Sequence, residues 1–173
     1  MTRLWMLWIS VTSCLLLRPD LAGAMDFHLA AGAVEGGDDR FQPTAGAGFT
    51  APSGIIGTAW VYGRTYGPVQ ERAYILSGAQ PFEPFGTKSI SLLAGISVLM
   101  ERTSVDGGPD ADDTKDSSTN LGALFGLRGE IYKWKNFSLG ATWESHIYPA
   151  GSQILLLVTG RKQLIGINVR VSL

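Results

Sequence analysis

Residues 89–101 read Ser89-Ile90-Ser91-Leu92-Leu93-Ala94-Gly95-Ile96-Ser97-Val98-Leu99-Met100-Glu101. The even positions, Ile90, Leu92, Ala94, Ile96, Val98 and Met100, are apolar without a break. The odd positions are mostly serine, glycine, leucine and glutamate. Side chains of a β-strand point alternately to its two faces, so a period of two with one wholly apolar face is the mark of a strand.

The same alternation recurs along the rest of the chain. Leu121, Ala123, Phe125, Leu127 and Ile131 share a face with Gly129, opposite Gly122, Leu124, Gly126, Arg128, Glu130 and Tyr132. Phe137, Leu139, Ala141, Trp143 and Ile147 oppose Ser138, Gly140, Thr142, Glu144 and His146. Ile165, Ile167, Val169, Val171 and Leu173 oppose Gly166, Asn168, Arg170 and Ser172. Ile55 to Tyr66 also alternates, but there either face could be the apolar one.

An apolar row of this kind is either the dry side of a soluble sandwich or the lipid-facing side of a membrane barrel. Three features favour lipid. The minority face is rich in glycine and serine and carries isolated charges, which suits the narrow inside of a small barrel. The apolar rows run for about ten residues, the length a tilted strand needs to cross a bilayer. Aromatic residues gather near strand ends: Phe82, Phe85, Tyr132, Trp134 and Phe137 near short turns, Tyr66 and Tyr148 near loops. Such rings favour the membrane–water interface, where an apolar body and a polar tip are both satisfied.

Composition narrows the classes further. Fourteen basic against 15 acidic residues exclude a strongly basic nucleic-acid footprint. The single cysteine, Cys14, excludes a disulfide scaffold. With 22 glycines in 173 residues, glycine is nearly twice as frequent as usual, without a collagen period. Residues 1–24 have the form of a cleaved secretory signal: Arg3, an uncharged stretch Leu4–Leu17, and Ala22-Gly23-Ala24 before the cut. The remainder, 25–173, reads as one barrel domain.

Turn residues divide that domain into eight strands, at roughly 25–35, 41–51, 55–65, 69–79, 88–103, 120–132, 136–148 and 154–173. An even count puts both ends of the domain on one side. The longest connection, 104–119, belongs on the outer side, and Lys133-Trp134-Lys135-Asn136 is a short inner turn. Outward-facing Gln163 and Arg161 sit poorly in hydrocarbon. Thr159-Gly160-Arg161-Lys162 therefore reads either as outer interface or as a separate turn, which leaves nine or ten strands open.

The signal, the alternation and the closing segment Gly166-Ile167-Asn168-Val169-Arg170-Val171-Ser172-Leu173 resemble the small outer-membrane β-barrel proteins of Gram-negative bacteria, the group with eight-stranded barrels such as the OmpA transmembrane domain, OmpX and OmpW. The resemblance is one of pattern over all of residues 25–173. It implies an all-β fold, an antiparallel up-and-down transmembrane barrel, in the bacterial outer membrane. It also implies that Ile167, Val169, Val171 and Leu173 form the signal read by the barrel-assembly machinery, although the family usually ends in Phe or Trp. The expected partners are outer-membrane lipid and lipopolysaccharide, with no nucleic acid and no cofactor, and the chain is expected to be a monomer. The function implied is structural or adhesive, or passage of small solutes through a narrow pore. The rivals are a membrane-embedded lipid-modifying enzyme and a soluble, lipocalin-like periplasmic binder of an apolar ligand.

Alternation places Glu101, Arg128, Glu130, Glu144, His146 and Arg170 in the lumen. They form either an ion-pair plug that fills the barrel or the lining of a gate. Arg128, Glu130 and Arg170 fall toward the inner end, and Glu101, Glu144 and His146 toward the outer end. In Glu144-Ser145-His146 the serine lies on the opposite face from its neighbours, so a regular strand cannot pair its hydroxyl with the imidazole. Asp106, Asp110, Asp112, Asp113 and Asp116 lack the spacing and closing glutamate of a calcium hand and read as a solvated loop, with a weak divalent-ion contact or a bridge to lipopolysaccharide as the alternative. With only His28 and His146 in the chain, no metal site is expected.

Overall fold

The computed structural model describes residues 25–35, 41–84, 86, 89–105, 114–149 and 159–172. The proposed signal, Phe85, the loop aspartates 106, 110, 112 and 113, and Leu173 lie outside the described residues, as does the side chain of Tyr66.

The described residues form eight strands: β1 (Asp26–Glu35), β2 (Phe41–Thr50), β3 (Ile56–Tyr66), β4 (Val69–Phe82), β5 (Ile90–Val105), β6 (Thr114–Trp134), β7 (Phe137–Pro149) and β8 (Thr159–Ser172). Each strand pairs antiparallel with the next, and β8 pairs with β1, so the sheet closes into a barrel. Thr159–Lys162 is the start of β8 and not a separate turn, which settles the count among the described residues at eight.

The strands are strongly tilted. A row of inward-facing partners that starts at Asp26 passes through Thr50, Ile56, Ala79, Gly95, Leu124 and His146 to Lys162. Lys162 lies past Leu164, the residue that pairs with Val34 near the far end of β1. One circuit thus climbs the length of β1, the stagger that lets a flat ladder close into a cylinder.

Among the described residues, two extensions beyond the sequence reading stand out. β4 continues to Phe82, and β6 begins at Thr114, so residues 104–105 and 114–119 of the expected 104–119 loop are paired hairpin. The pairing runs from Met100↔Thr119 to Val105↔Thr114. This stretch, Thr114 to Asn120, has no apolar residue, so hydrophobic periodicity could not mark it as strand. Tight connections follow turn chemistry. Gly54 takes φ 86°, and the backbone N–H groups of Ala51 and Gly54 bond to the carbonyls of Ile55 and Ala51, both at 2.8 Å. Gly67 takes φ 57° ahead of Pro68, whose ring fixes the negative φ that a II′ turn needs second.

The long apolar rows point outward. On β5 and β6, Ile96 is 66% exposed and Leu121 63%, whereas the alternating Leu93 and Leu124 are 5% and 1%. Leu29, Phe125, Ile131, Ile165 and Ile167 share the outer face. On β3 the uncertainty resolves: Ile56, Trp60 and Tyr62 are buried inside and Val61 is exposed.

The interior is more apolar than its glycines and charges suggest. Val34, Trp60, Tyr62, Ala73, Ile75, Leu99, Tyr148 and Leu164 make one buried cluster, and Ile56, Ala79, Leu93 and Leu124 a second. Glycine makes room for the largest of these side chains. A Cβ on Gly46 would meet the Trp60 ring at 2.6 Å, and one on Gly166 would meet it at 3.0 Å. The Gly46→Val variant is therefore expected to lose about 1–3 kcal/mol through overpacking. Combining it with Trp60→Leu should cost less than the sum of the two single changes, as measured by urea unfolding in detergent micelles.

Candidate functional site

The lumen holds the six charged or titratable residues placed there by alternation, in three tiers. In the tier at the rim where Asp26 meets Ser172, the Arg170 guanidinium joins Glu130 at 2.6 Å and Asp26 at 3.7 Å. Its Nε donates to the Ser138 hydroxyl at 3.1 Å. Arg128 reaches the Asn168 side-chain oxygen at 3.3 Å rather than an acid.

The middle tier centres on Glu144, which is buried along with His146. The Glu144 carboxylate accepts from the Trp60 indole N–H at 3.2 Å and the Thr142 hydroxyl at 3.4 Å, and the His146 Nε2 lies 3.1 Å away. The charge is thus held by donors from two strands on opposite sides of the barrel, as a buried carboxylate requires. In the upper tier Glu101 pairs with Lys162 at 3.2 Å and accepts from the Tyr62 hydroxyl at 3.4 Å. Arg64 pairs with Glu71 beside them.

Asp26, Lys162, Arg64 and Glu71 are lumen partners the sequence reading missed. One signal could have found Arg64. The row Ile56, Thr58, Trp60, Tyr62, Arg64 ends in a charge, and its alternate Gly57, Ala59, Val61, Gly63 has none.

The interface aromatics divide. Phe82, Trp134 and Phe137 lie exposed on the outer face near the Asp26–Ser172 rim. Tyr132 joins them through a β-bulge. The register shifts between Glu130 and Tyr132, so Tyr132 pairs with outward-facing Leu139 instead of following Glu130 inward. Trp134 also carries the Lys135 ammonium over its ring at 5.3 Å. Tyr148 is a correction. It follows Glu144 and His146 on the inward row, is 3% exposed, and stacks on the His146 ring at 6.4 Å. On β8, Ile167 and Val171 face outward and exposed, with Val169 on the same row.

Outward-facing Gln163 has a partner: its side-chain oxygen accepts from the Trp143 indole N–H at 3.3 Å. Ser145 shares the outer row with its partners Phe125 and Gln163, so the sheet itself separates its hydroxyl from His146.

The centre of the barrel is packed shut. The space among His28, Trp60, Leu93, Arg128 and Glu144 is about 20 Å³, room for about one water. A larger space lies at the wall. β2 and β3 pair only as far as Thr44↔Tyr62, whereas β3 and β4 stay paired to Tyr66↔Val69. Pro43 has no N–H to continue the ladder, and the Thr44 hydroxyl donates to the Val61 carbonyl at 2.8 Å. The split carries an open groove of about 540 Å³ lined by Pro43, Ala45, Val61, Gly63, Arg72 and Tyr74 among others.

No family model matches the chain, and no curated protein matches it in sequence. Solved structures match its fold. Ail, the attachment invasion locus protein of Yersinia pestis, solved with the heparin analogue sucrose octasulfate, is 15% identical with a TM-score of 0.57, covering 85% of this chain and 96% of that one. A major outer membrane protein from Thermus thermophilus is 13% identical with a TM-score of 0.52, covering 87% of this chain and 100% of that one. The chain thus has the fold of small outer-membrane barrels.

The middle tier yields a graded expectation. Glu144→Leu leaves the Trp60 indole N–H without its acceptor, while the Thr142 hydroxyl keeps the Leu127 carbonyl at 3.4 Å, and should cost about 1–3 kcal/mol in urea unfolding. Glu144→Gln keeps an acceptor oxygen and should cost clearly less.

Proposed function

We propose that this chain is an outer-membrane β-barrel with a structural or adhesive role, exerted at its outer rim and not through its lumen. The observation that carries the reading is the combination of an apolar outside with an inside packed shut. Leu29, Ile96, Leu121, Phe125, Ile131 and Ile167 lie exposed on one continuous outer wall. A soluble monomer does not leave rows of that extent in water, whereas hydrocarbon covers them without cost. Inside, Trp60, Ile75, Leu124, Leu164 and His146 are fully buried, Glu101, Glu130 and Glu144 are each engaged by a cation or imidazole, and Arg128 bonds to Asn168. That interior favours a plug over a pore.

The β5–β6 hairpin supports an outer-rim role. Above Leu121 the outer strand becomes Thr114-Lys115-Asp116-Ser117-Ser118-Thr119-Asn120, a polar segment exposed from Lys115 to Thr119. It suits water and not acyl chains, so the hairpin stands beyond the apolar belt. Ail, whose name records attachment, presents a barrel of the same fold. The chain reaches the membrane by way of the 1–24 signal and the barrel-assembly machinery in this reading.

Fractionation and conductance test the proposal together. The protein should appear in the outer-membrane fraction with heat-modifiable gel mobility and give no stepwise conductance in planar bilayers. An epitope inserted between Val105 and Thr114 should be accessible on intact cells. Stepwise conductance would favour the pore, and solubility without detergent would favour a soluble binder of an apolar ligand.

A further inference from the structure

Alternation sorts the charges of three neighbouring strands at the hairpin rim. On β4, Glu71 faces inward with Arg64, and Arg72 faces out. On β5, Glu101 faces inward with Lys162, and Arg102 faces out. On β6, Lys115 stands on the outer row with Ser117, and Asp116 on the alternate row. The carboxylates of β4 and β5 are thus used inside, while the cations stand outside.

The arrangement is unfavourable as it stands. Arg72 and Arg102 are direct cross-strand partners, both exposed, and like charges in that position repel. Lys115 pairs with Ser104, one outward position above Arg102. Among the described residues no ion pair joins Arg72, Arg102 or Lys115 to a carboxylate. Their outward neighbours on the ladder, Gln70, Ser104 and Ser117, are neutral hydrogen-bonding groups. Directly below them the apolar belt begins, with Tyr74 and Met100 as the next outward pair. Arg72 also edges the groove over the β2–β3 split, whose other walls include Pro43, Ala45, Val61 and Tyr74.

We infer that Arg72, Arg102 and Lys115 form an outer-wall site for the phosphorylated headgroup of lipopolysaccharide, with an acyl chain laid in the groove beside Arg72. The inference rests on the outer-membrane reading above, which puts the hairpin rim in the outer leaflet. The chemistry is complementary: phosphate relieves the Arg72–Arg102 repulsion, and guanidinium binds phosphate in paired, charge-assisted hydrogen bonds. The three cations come from adjacent strands about 4.8 Å apart, so they span about 10 Å. That width suits a headgroup with more than one phosphate better than the single phosphate of a glycerophospholipid. The groove, apolar on most sides and open outward, continues the site into the depth where acyl chains lie.

The test uses protein expressed from the full 173-residue chain and purified in a zwitterionic detergent. The probe is deep-rough lipopolysaccharide, intact or enzymatically dephosphorylated, with phosphatidylglycerol as the single-phosphate comparison. Binding is read by native mass spectrometry and by titration of Trp fluorescence. Intact lipopolysaccharide should bind the wild-type protein roughly tenfold or more tightly than either the dephosphorylated form or phosphatidylglycerol. Arg72→Gln/Arg102→Gln should abolish that preference, and Arg161→Gln, on the outer face of β8, should leave it intact. Equal binding of intact and dephosphorylated lipopolysaccharide by the wild type overturns the site, and this comparison needs no variant to fold. Equal binding of phosphatidylglycerol overturns the choice of lipopolysaccharide. Unchanged preference in a double variant with normal heat-modifiable mobility overturns the residue assignment. Failure of the outer-membrane reading would show separately, as protein absent from the outer-membrane fraction.

Discussion

The structure depends on β1 meeting β8. Their ladder runs from Asp26↔Ser172 to Val34↔Leu164 and removes the last free edge of the sheet. In water an open edge is an aggregation hazard; in hydrocarbon it is untenable, because each unpaired backbone group costs several kcal/mol and no solvent can satisfy it. Closure fixes everything else. It demands the tilt that carries one row from Asp26 to Lys162, and the tilt sets which side chains meet across the lumen. The β2–β3 split above Thr44↔Tyr62 is a local exception, and it falls toward the hairpin end, where Pro43 has no N–H and the Thr44 hydroxyl bonds the Val61 carbonyl.

A closed cylinder of eight strands must also be filled. Charges alone would fill it poorly, since each needs several donors or acceptors to compensate for its lost hydration. The chain combines two solutions. Trp60, Ile75, Leu124 and Leu164 take up volume, with glycine opposite the indole, and the charged groups are held by partners in the three tiers. Glu144 shows the coupling. Its carboxylate needs the Trp60 N–H, so the largest apolar side chain in the lumen is also a hydrogen-bond donor to its most buried acid. The residue that packs the barrel thereby also orients its polar centre.

Much of this was legible in the sequence, because a strand's period of two is an unusually direct record of which side faces what. The rows on β5 to β8 gave the barrel, the outward face and the six lumen residues. Legibility failed where the record is ambiguous or silent. On β3 both faces carry apolar residues, and only Arg64 distinguishes them. The polar start of β6 leaves no hydrophobic trace, so its pairing with β5 came from hairpin continuation alone. Tyr132 turned outward through a bulge that inserts one residue and reverses the alternation. Tyr148 went the other way: nearness to a loop suggested the interface, although its parity with Glu144 and His146 already placed it inside. Cross-barrel partners such as Lys162 with Glu101 depend on the tilt, which no single strand encodes.

The same alternation that built the barrel also separates charge across its wall. Adjacent residues of opposite sign, Glu71-Arg72 and Glu101-Arg102, cannot neutralise each other in a strand, because their side chains leave on opposite faces. The acids find cations inside the barrel, from Arg64 and Lys162. The arginines are then left facing each other on the outer wall, just above Tyr74 and Met100. In a soluble protein such a pair would be a mild surface repulsion screened by salt. In the proposed membrane setting the same pair stands at the edge of the apolar belt, where dielectric screening falls and an anion gains most from two guanidiniums. Both rims carry cations, with Lys133 and Lys135 at the Asp26–Ser172 rim, but at the hairpin rim two arginines face each other directly across a strand pair.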